Sequence, residues 1–185
     1  MQGYVAVGAL AAVAALVAVR SSQLKRLGIR AFHFGRMDKK DFLIPPCLLF
    51  YVYQLAANTF GWPRVGTVFA GNAAWVGAAV CAAAPLLFLW GILSFGRSFR
   101  VGIDMEGAGS LVTTGAFAVS RNPLYVAFLM IFLGVFLIFP TWIFFLYFTA
   151  GLWLIDRQVC LEENALRKLY GAAYDAYCER VRRYL

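Results

Sequence analysis

Between Asp41 and Arg97 the chain carries a single charged residue, Arg64. So long an uncharged segment restricts the fold more than any motif does. Within it, Phe42 to Phe60 and Ala73 to Phe95 each approach the ~20 apolar residues that a helix needs to cross a bilayer. Three more apolar runs occur elsewhere: Tyr4 to Val19, Pro123 to Phe139, and Thr141 to Ile155. Of the 185 residues, 62% are hydrophobic and 14% charged, against an apolar share of ~45–50% in soluble chains. A soluble core of this size has no room for that much apolar surface, so lipid must solvate part of it. The expectation is an all-α polytopic membrane protein forming one domain over residues 1–185.

The charges set the topology. Seven of the 17 Lys and Arg lie between Arg20 and Lys40, and six lie after residue 156. In a membrane chain such clusters mark the cytoplasmic side. No polar domain remains to bind nucleic acid with them, and no nucleic-acid partner is expected. The first apolar run has no Lys or Arg before it, unlike a signal peptide, and its positive charges come after it. It therefore reads as a span with its N-terminus outside.

Pro45-Pro46 suits the first turn of the second span, where missing N–H donors cost least. Gly61-Trp62-Pro63 makes an outer turn, and Pro85 predicts a kink in the third span. Pro140 divides the last apolar stretch. As one helix, the 33 residues from 123 to 155 would reach ~50 Å, too long for a ~30 Å hydrocarbon core. As a hairpin, its arms are about 23–26 Å long. The hairpin gives about five spans with a cytoplasmic C-terminus, whereas four spans would place that basic end outside. Beyond Ile155, Leu166, Leu169, Tyr170, Tyr174, Tyr177 and Val181 recur at helical spacing, with a break at Gly171. This predicts a C-terminal amphipathic cytoplasmic helix.

Few residues are suited to chemistry. Cys47, Cys81, Cys160 and Cys178 form no CxxC pair, and His33 is the sole histidine, so no metal is expected. Asn122-Pro123 is a helix start: Asn accepts from free backbone N–H groups and Pro fits the first position. Such a start also attracts carboxylate or phosphate. Arg121 strengthens that pull, and Tyr125 lies almost a turn on. In Glu162-Glu163, adjacent side chains splay by ~100°. Glu163 can then pair with Arg167 across one turn while its neighbour points inward. The loop "GSLVTTGAF", residues 109–117, allows close backbone approach and offers Phe117 as a stacking ring. Each of these also has a plain structural reading, as cap, solvated helix or turn.

In order, "GRSF", "LVTTGAFAVSRNPLY", an apolar hairpin and "EENALRKLYGAAYDAYCERV" resemble the isoprenylcysteine carboxyl methyltransferase and phosphatidylethanolamine methyltransferase superfamily. The family pattern runs Leu-Val-x-x-Gly-x-Tyr-x-x-x-Arg-His-Pro-x-Tyr, then a Glu-Glu pair, then Gly-x-x-Tyr-x-x-Tyr leading to Val-x-Arg. The likeness covers residues 95–183, the implied cofactor-binding catalytic region, while residues 1–72 carry no family signature. It implies a membrane methyltransferase taking its methyl group from S-adenosylmethionine at the cytoplasmic face. It also implies cofactor contacts at Gly109, Ser110, Leu111, Val112, Phe117, Asn122, Pro123, Leu124, Tyr125 and Glu162.

Three positions depart from the pattern. Asn122 replaces the family's His, leaving no imidazole base there, and Ala118 stands where many relatives have Arg. Gln158, with Arg157 beside it, stands where the prenylcysteine enzymes hold a substrate carboxylate with Arg. That argues against a prenylcysteine carboxylate as acceptor. Tyr125 and Arg157 are the candidate catalytic residues, placed near a lipophilic or lipidated acceptor (carboxylate, thiol or amine) that enters from the bilayer lipid. Two other readings stay open: an NADPH-dependent membrane reductase of related architecture, or a non-catalytic protein that binds lipid or a partner.

Overall fold

The computed structural model describes residues 1–26, 44–63, 65, 73–95 and 111–185. They form six helices: α1 (Gln2–Arg26), α2 (Ile44–Phe60), α3 (Ala74–Phe95), α4 (Pro123–Ile138), α5 (Trp142–Tyr170) and α6 (Ala172–Arg180). The basic stretch from Arg20 to Asp41, expected as a loop, begins as helix: Arg20 to Arg26 continue α1. The rest of it, with His33, and the cofactor-contact candidates Gly109 and Ser110 lie outside the described residues.

Local chemistry accounts for most boundaries. Pro45-Pro46 sits in the first turn of α2 as expected. Gly61, at φ +75°, closes that helix, and Trp62 N–H donates back to the Ala57 carbonyl at 3.0 Å. The buried side chain of Gln54 ties down the chain beyond this turn, donating to the Val65 carbonyl at 2.9 Å. α3 continues through Pro85. At Pro140 the chain reverses, and Thr141 caps α5 by accepting the Phe144 N–H at 3.3 Å. α4 and α5 are therefore the arms of a hairpin. α5 runs further than the sequence implied. The last apolar stretch and the polar one after it form a single 29-residue helix, about 43 Å long, ending at Gly171 with φ +52°.

Neighbouring helix ends show how the chain alternates. A side chain at Gly3 would meet Thr59 and Phe139, which groups the start of α1 with the ends of α2 and α4. Gly77 faces Gly134 and Leu137, and Gly91 faces Leu124, so α3 and α4 are antiparallel neighbours. α3 packs on α1 as well as α4, and α4 packs on α5. Ala6, Val13, Tyr51, Cys81, Phe88, Ile131, Val135 and Phe144 meet in the core between them. Tyr51 stands edge-on to Phe132, Phe144 and Tyr147.

The outward faces are equally apolar. Trp75, Leu86, Leu93 and Trp153 are each about two-thirds exposed, where a soluble helix would place charge. α1, α3 and α5 are long and apolar enough to cross a membrane, while α2 and α4 have 17 and 16 residues. Several helices of this length and composition mark a multi-pass membrane protein.

The α3–α4 contact depends on missing side chains. A Cβ at Gly134 would lie 2.5 Å from Cys81 Sγ and 2.8 Å from the Gly77 carbonyl oxygen. Small residues let helix backbones approach this closely in membranes. Gly134→Ala should lower stability by about 1–3 kcal/mol through overpacking. Gly8→Ala, which meets nothing within 4 Å, should be neutral or stabilising by about 0.5–1 kcal/mol. Unfolding of the two variants in mild detergent checks the contrast.

Candidate functional site

The start of α4 lies where the loop before it, the polar half of α5 and the C-terminal residues meet. Gly115, at φ +64°, opens a short 3-10 turn over Gly115–Ala118. A side chain there would collide with Ser94. Ser94 Oγ accepts the Ala116 N–H at 2.9 Å and donates to the Trp90 carbonyl at 2.8 Å, pinning the loop to the end of α3. Leu111 and Val112 precede this turn, half-buried. Phe117 is buried and edge-on to Phe95, with centroids 4.5 Å apart. Its carbonyl accepts the Tyr177 hydroxyl at 2.7 Å. Burial pushes that hydroxyl up to about 12, so it remains a donor at neutral pH.

Pro123 takes the first position of α4 and is fully buried, and Leu124 packs over Gly91. Asn122 does not cap the helix as the sequence implied. Its Nδ2 instead donates to the Arg183 carbonyl at 3.0 Å, because the C-terminal chain passes beneath. The first turn of α4 thus has no side-chain cap. Arg121 also differs from expectation. Its guanidinium turns away from the helix start, donating to Glu163 Oε1 at 2.9 and 3.2 Å and to the Cys178 and Val181 carbonyls at 3.1 and 2.9 Å.

Glu163 organises this region. Its side chain is only 3% exposed, and Arg183 holds its second oxygen at 2.9 and 3.2 Å. One carboxylate therefore lies between two guanidiniums, each donating two charge-assisted bonds to one of its oxygens. The expected Glu163–Arg167 pair is replaced. Arg167 pairs at 3.0 Å with Asp175, across the Gly171 break, where both side chains are about half exposed.

Glu162 points the other way around α5, as adjacent helical residues must. Its Oε1 accepts from the Tyr125 hydroxyl at 2.6 Å and from Gln158 Nε2 at 3.0 Å. No bond to its Oε2 occurs among the described residues. The start of α4 and the polar half of α5 thus converge through Tyr125 and Glu162. Arg157 is exposed on α5, about 140° around the helix from Glu162. Gln158, four residues before Glu162, is the neighbour that shares its face. The four-residue spacing is the signal that could have found this bond. The pairing of Glu163 with Arg183 had no local signal in the sequence.

The arrangement combines an uncapped helix start, a phenolic hydroxyl and a carboxylate oxygen. It has partners for both an anionic and a cationic group of one ligand. Removing one member of a buried ion pair costs about 3–5 kcal/mol, because the other charge is left uncompensated. Glu163→Ala should show a loss of that order on reversible unfolding in detergent. Asp175→Ala, at the exposed pair, should change stability by less than about 1 kcal/mol.

A family model for phospholipid methyltransferase matches residues 72–173, just over half of the chain, from the approach to α3 to the first turn of α6. The curated proteins contain no match. The matched segment holds Tyr125, Gln158, Glu162 and Glu163, and it places the chain in the phospholipid methyltransferase family, within the isoprenylcysteine carboxyl methyltransferase and phosphatidylethanolamine methyltransferase superfamily.

Proposed function

We propose that this chain is an integral membrane methyltransferase that takes its methyl group from S-adenosylmethionine and transfers it to a lipophilic acceptor at the cytoplasmic face. The observation that carries this reading is the 2.6 Å contact between Tyr125 and Glu162, which joins the two motif regions of the family into one polar site.

The topology behind it is five crossings, with the N-terminus outside. α2 and α4, about 24–26 Å long, cross where the bilayer thins slightly. Tyr4, Phe60, Trp62, Trp75 and Trp142 are exposed near one set of helix ends, like an interfacial aromatic belt. Arg20, Lys25, Arg121 and the basic end of α5 lie toward the other. The candidate site is then on the positive, cytoplasmic side, and the crossing part of α5 ends near Ile155, about two turns before Glu162.

The residues present fit the donor. The first-turn N–H groups of Leu124 and Tyr125 have no side-chain cap and suit its carboxylate. The Glu162 oxygen that bonds nothing among the described residues suits its cationic or hydroxyl groups, and Tyr125 holds that glutamate in place. The half-buried Leu111 and Val112 are the apolar side chains proposed to meet the donor, with Phe117 and Pro123 buried among the residues that follow them. Gly109 and Ser110, outside the described residues, are proposed for the same role. When bound, the donor supplies a methyl group activated on a sulfonium. The protein contributes alignment and exclusion of water. With Asn122 in place of an imidazole, no base acts there; a carboxylate or thiolate that arrives ionised needs none, whereas an amine acceptor must shed a proton to water before or after transfer. Loss of charge as an anionic acceptor meets the cation is favoured in an apolar site.

The acceptor is a lipid or a lipidated small molecule (carboxylate, thiol or amine). It enters from the bilayer toward Tyr125; Arg157 lies on a different face of α5 from Glu162, and its proposed part is to meet the acceptor's polar group at the membrane surface. Gln158, a neutral residue already bonded to Glu162, lacks the charge to clamp a prenylcysteine carboxylate.

Calorimetry on the protein in lipid nanodiscs tests this. S-adenosylmethionine should bind, and Glu162→Ala should weaken it at least tenfold, equivalent to about 1.4 kcal/mol. Tyr125→Phe should cost about 0.5–1.5 kcal/mol. Binding of NADPH in place of the donor, or of neither, contradicts the proposal.

A further inference from the structure

The family model matches as far as residue 173, and the residues after α6, with Val181 and Arg183 of the Val-x-Arg pattern, reach both walls of the site. Arg182 O accepts the Arg121 N–H at 3.0 Å. Arg183 O accepts Asn122 Nδ2 at 3.0 Å and the Ser120 hydroxyl at 3.4 Å. The guanidinium of the same Arg183 holds Glu163 Oε2 on α5 and lies 3.6 Å from Asp156. Tyr184 donates to Asp156 at 2.8 Å. One residue thus holds the start of α4 by its backbone and α5 by its side chain.

We propose that Val181–Tyr184 is a positioning strap for the donor site, and that Arg183 and Glu163 are positioning residues that set Asn122 and Glu162 without touching the reacting atoms. The proposal rests on the reading of that site as the donor site. Two geometric facts support it. Glu162 and Glu163 are adjacent on one helix, so fixing Glu163 between two guanidiniums fixes the direction in which Glu162 points. The strap carbonyl also draws the Asn122 amide off the helix start, keeping the first-turn N–H groups of α4 open. A strap that orders the site must itself be ordered when the site is filled, because coupling between two sites is reciprocal. A segment that merely completes the fold has no such dependence on ligand.

Hydrogen exchange of the C-terminal peptide, measured with and without S-adenosylmethionine, tests the coupling on the full chain in nanodiscs. The donor should slow exchange at residues 181–185 by about tenfold, and Arg183→Ala should raise the donor Kd by a similar factor and abolish that protection. Arg183→Lys, which keeps the charge but not the paired bonds, should recover part of both. If Arg183→Ala folds poorly, Tyr184→Phe, which loses only its bond to Asp156, should show a smaller loss of the same kind. Donor binding to the wild type with no change in tail exchange overturns the strap and leaves the donor site standing. So does undiminished binding by both Arg183→Ala and Tyr184→Phe. No donor binding to the wild type overturns the donor site, and the strap with it.

Discussion

A carboxylate buried between two arginines holds the polar end of this protein together. Glu163 alone, placed this far from water, would be severely destabilising. With Arg121 on one oxygen and Arg183 on the other, it joins the start of α4, the polar half of α5 and the C-terminal chain. Arg121 and Arg183 lie 42 and 20 residues from Glu163 in the chain. The loop before α4 is held separately, by Ser94 from one side and Tyr177 from the other. Once Glu163 is fixed, its neighbour Glu162 is directed to Tyr125, and the site is set.

The apolar end is governed by a different constraint. Where lipid is the solvent, burying apolar side chains between helices gains little, so close packing must supply the association. The Gly77–Gly134 approach, the Gly91–Leu124 contact and the Tyr51 cluster of aromatic edges meet that need. α3 and α4 are thereby held in fixed register, which keeps Ser94 beside the loop and Leu124 over the end of α3. Packing within the membrane and ion pairing outside it therefore act on the same helix, α4, from its two ends.

Much of this could be read from residue order. Apolar run lengths gave each helix start to within two residues or so, Pro140 gave the hairpin, and Gly171 gave the final break. These are local signals, carried by backbone chemistry at single positions. The family resemblance implied that Tyr125 and Glu162 serve one site, and their side chains do meet. Three features were not legible. The Asn122 cap is lost to a carbonyl 61 residues away, Arg121 is turned aside by Glu163, and Glu163 prefers Arg183 to the nearby Arg167. Helical spacing favours the local partner in each case. Tertiary contact overrode it because a buried carboxylate with a guanidinium on each oxygen outweighs an exposed pair one turn away. The continuity of α5 through Tyr170 was likewise hidden, since the change from apolar to polar residues marks the edge of the membrane and not the end of the helix.

If the Tyr125–Glu162 convergence is a methyl-transfer site facing the bilayer, labelled methyl groups must reach lipid. The most direct measurement is transfer of labelled methyl groups from S-adenosylmethionine to total lipid by the purified protein in proteoliposomes, alongside a folded Glu162→Ala variant. The account predicts label in the lipid fraction with the wild type and close to background with the variant. Equal labelling by the two proteins, or none by the wild type on any lipid, peptide or small thiol, would contradict it.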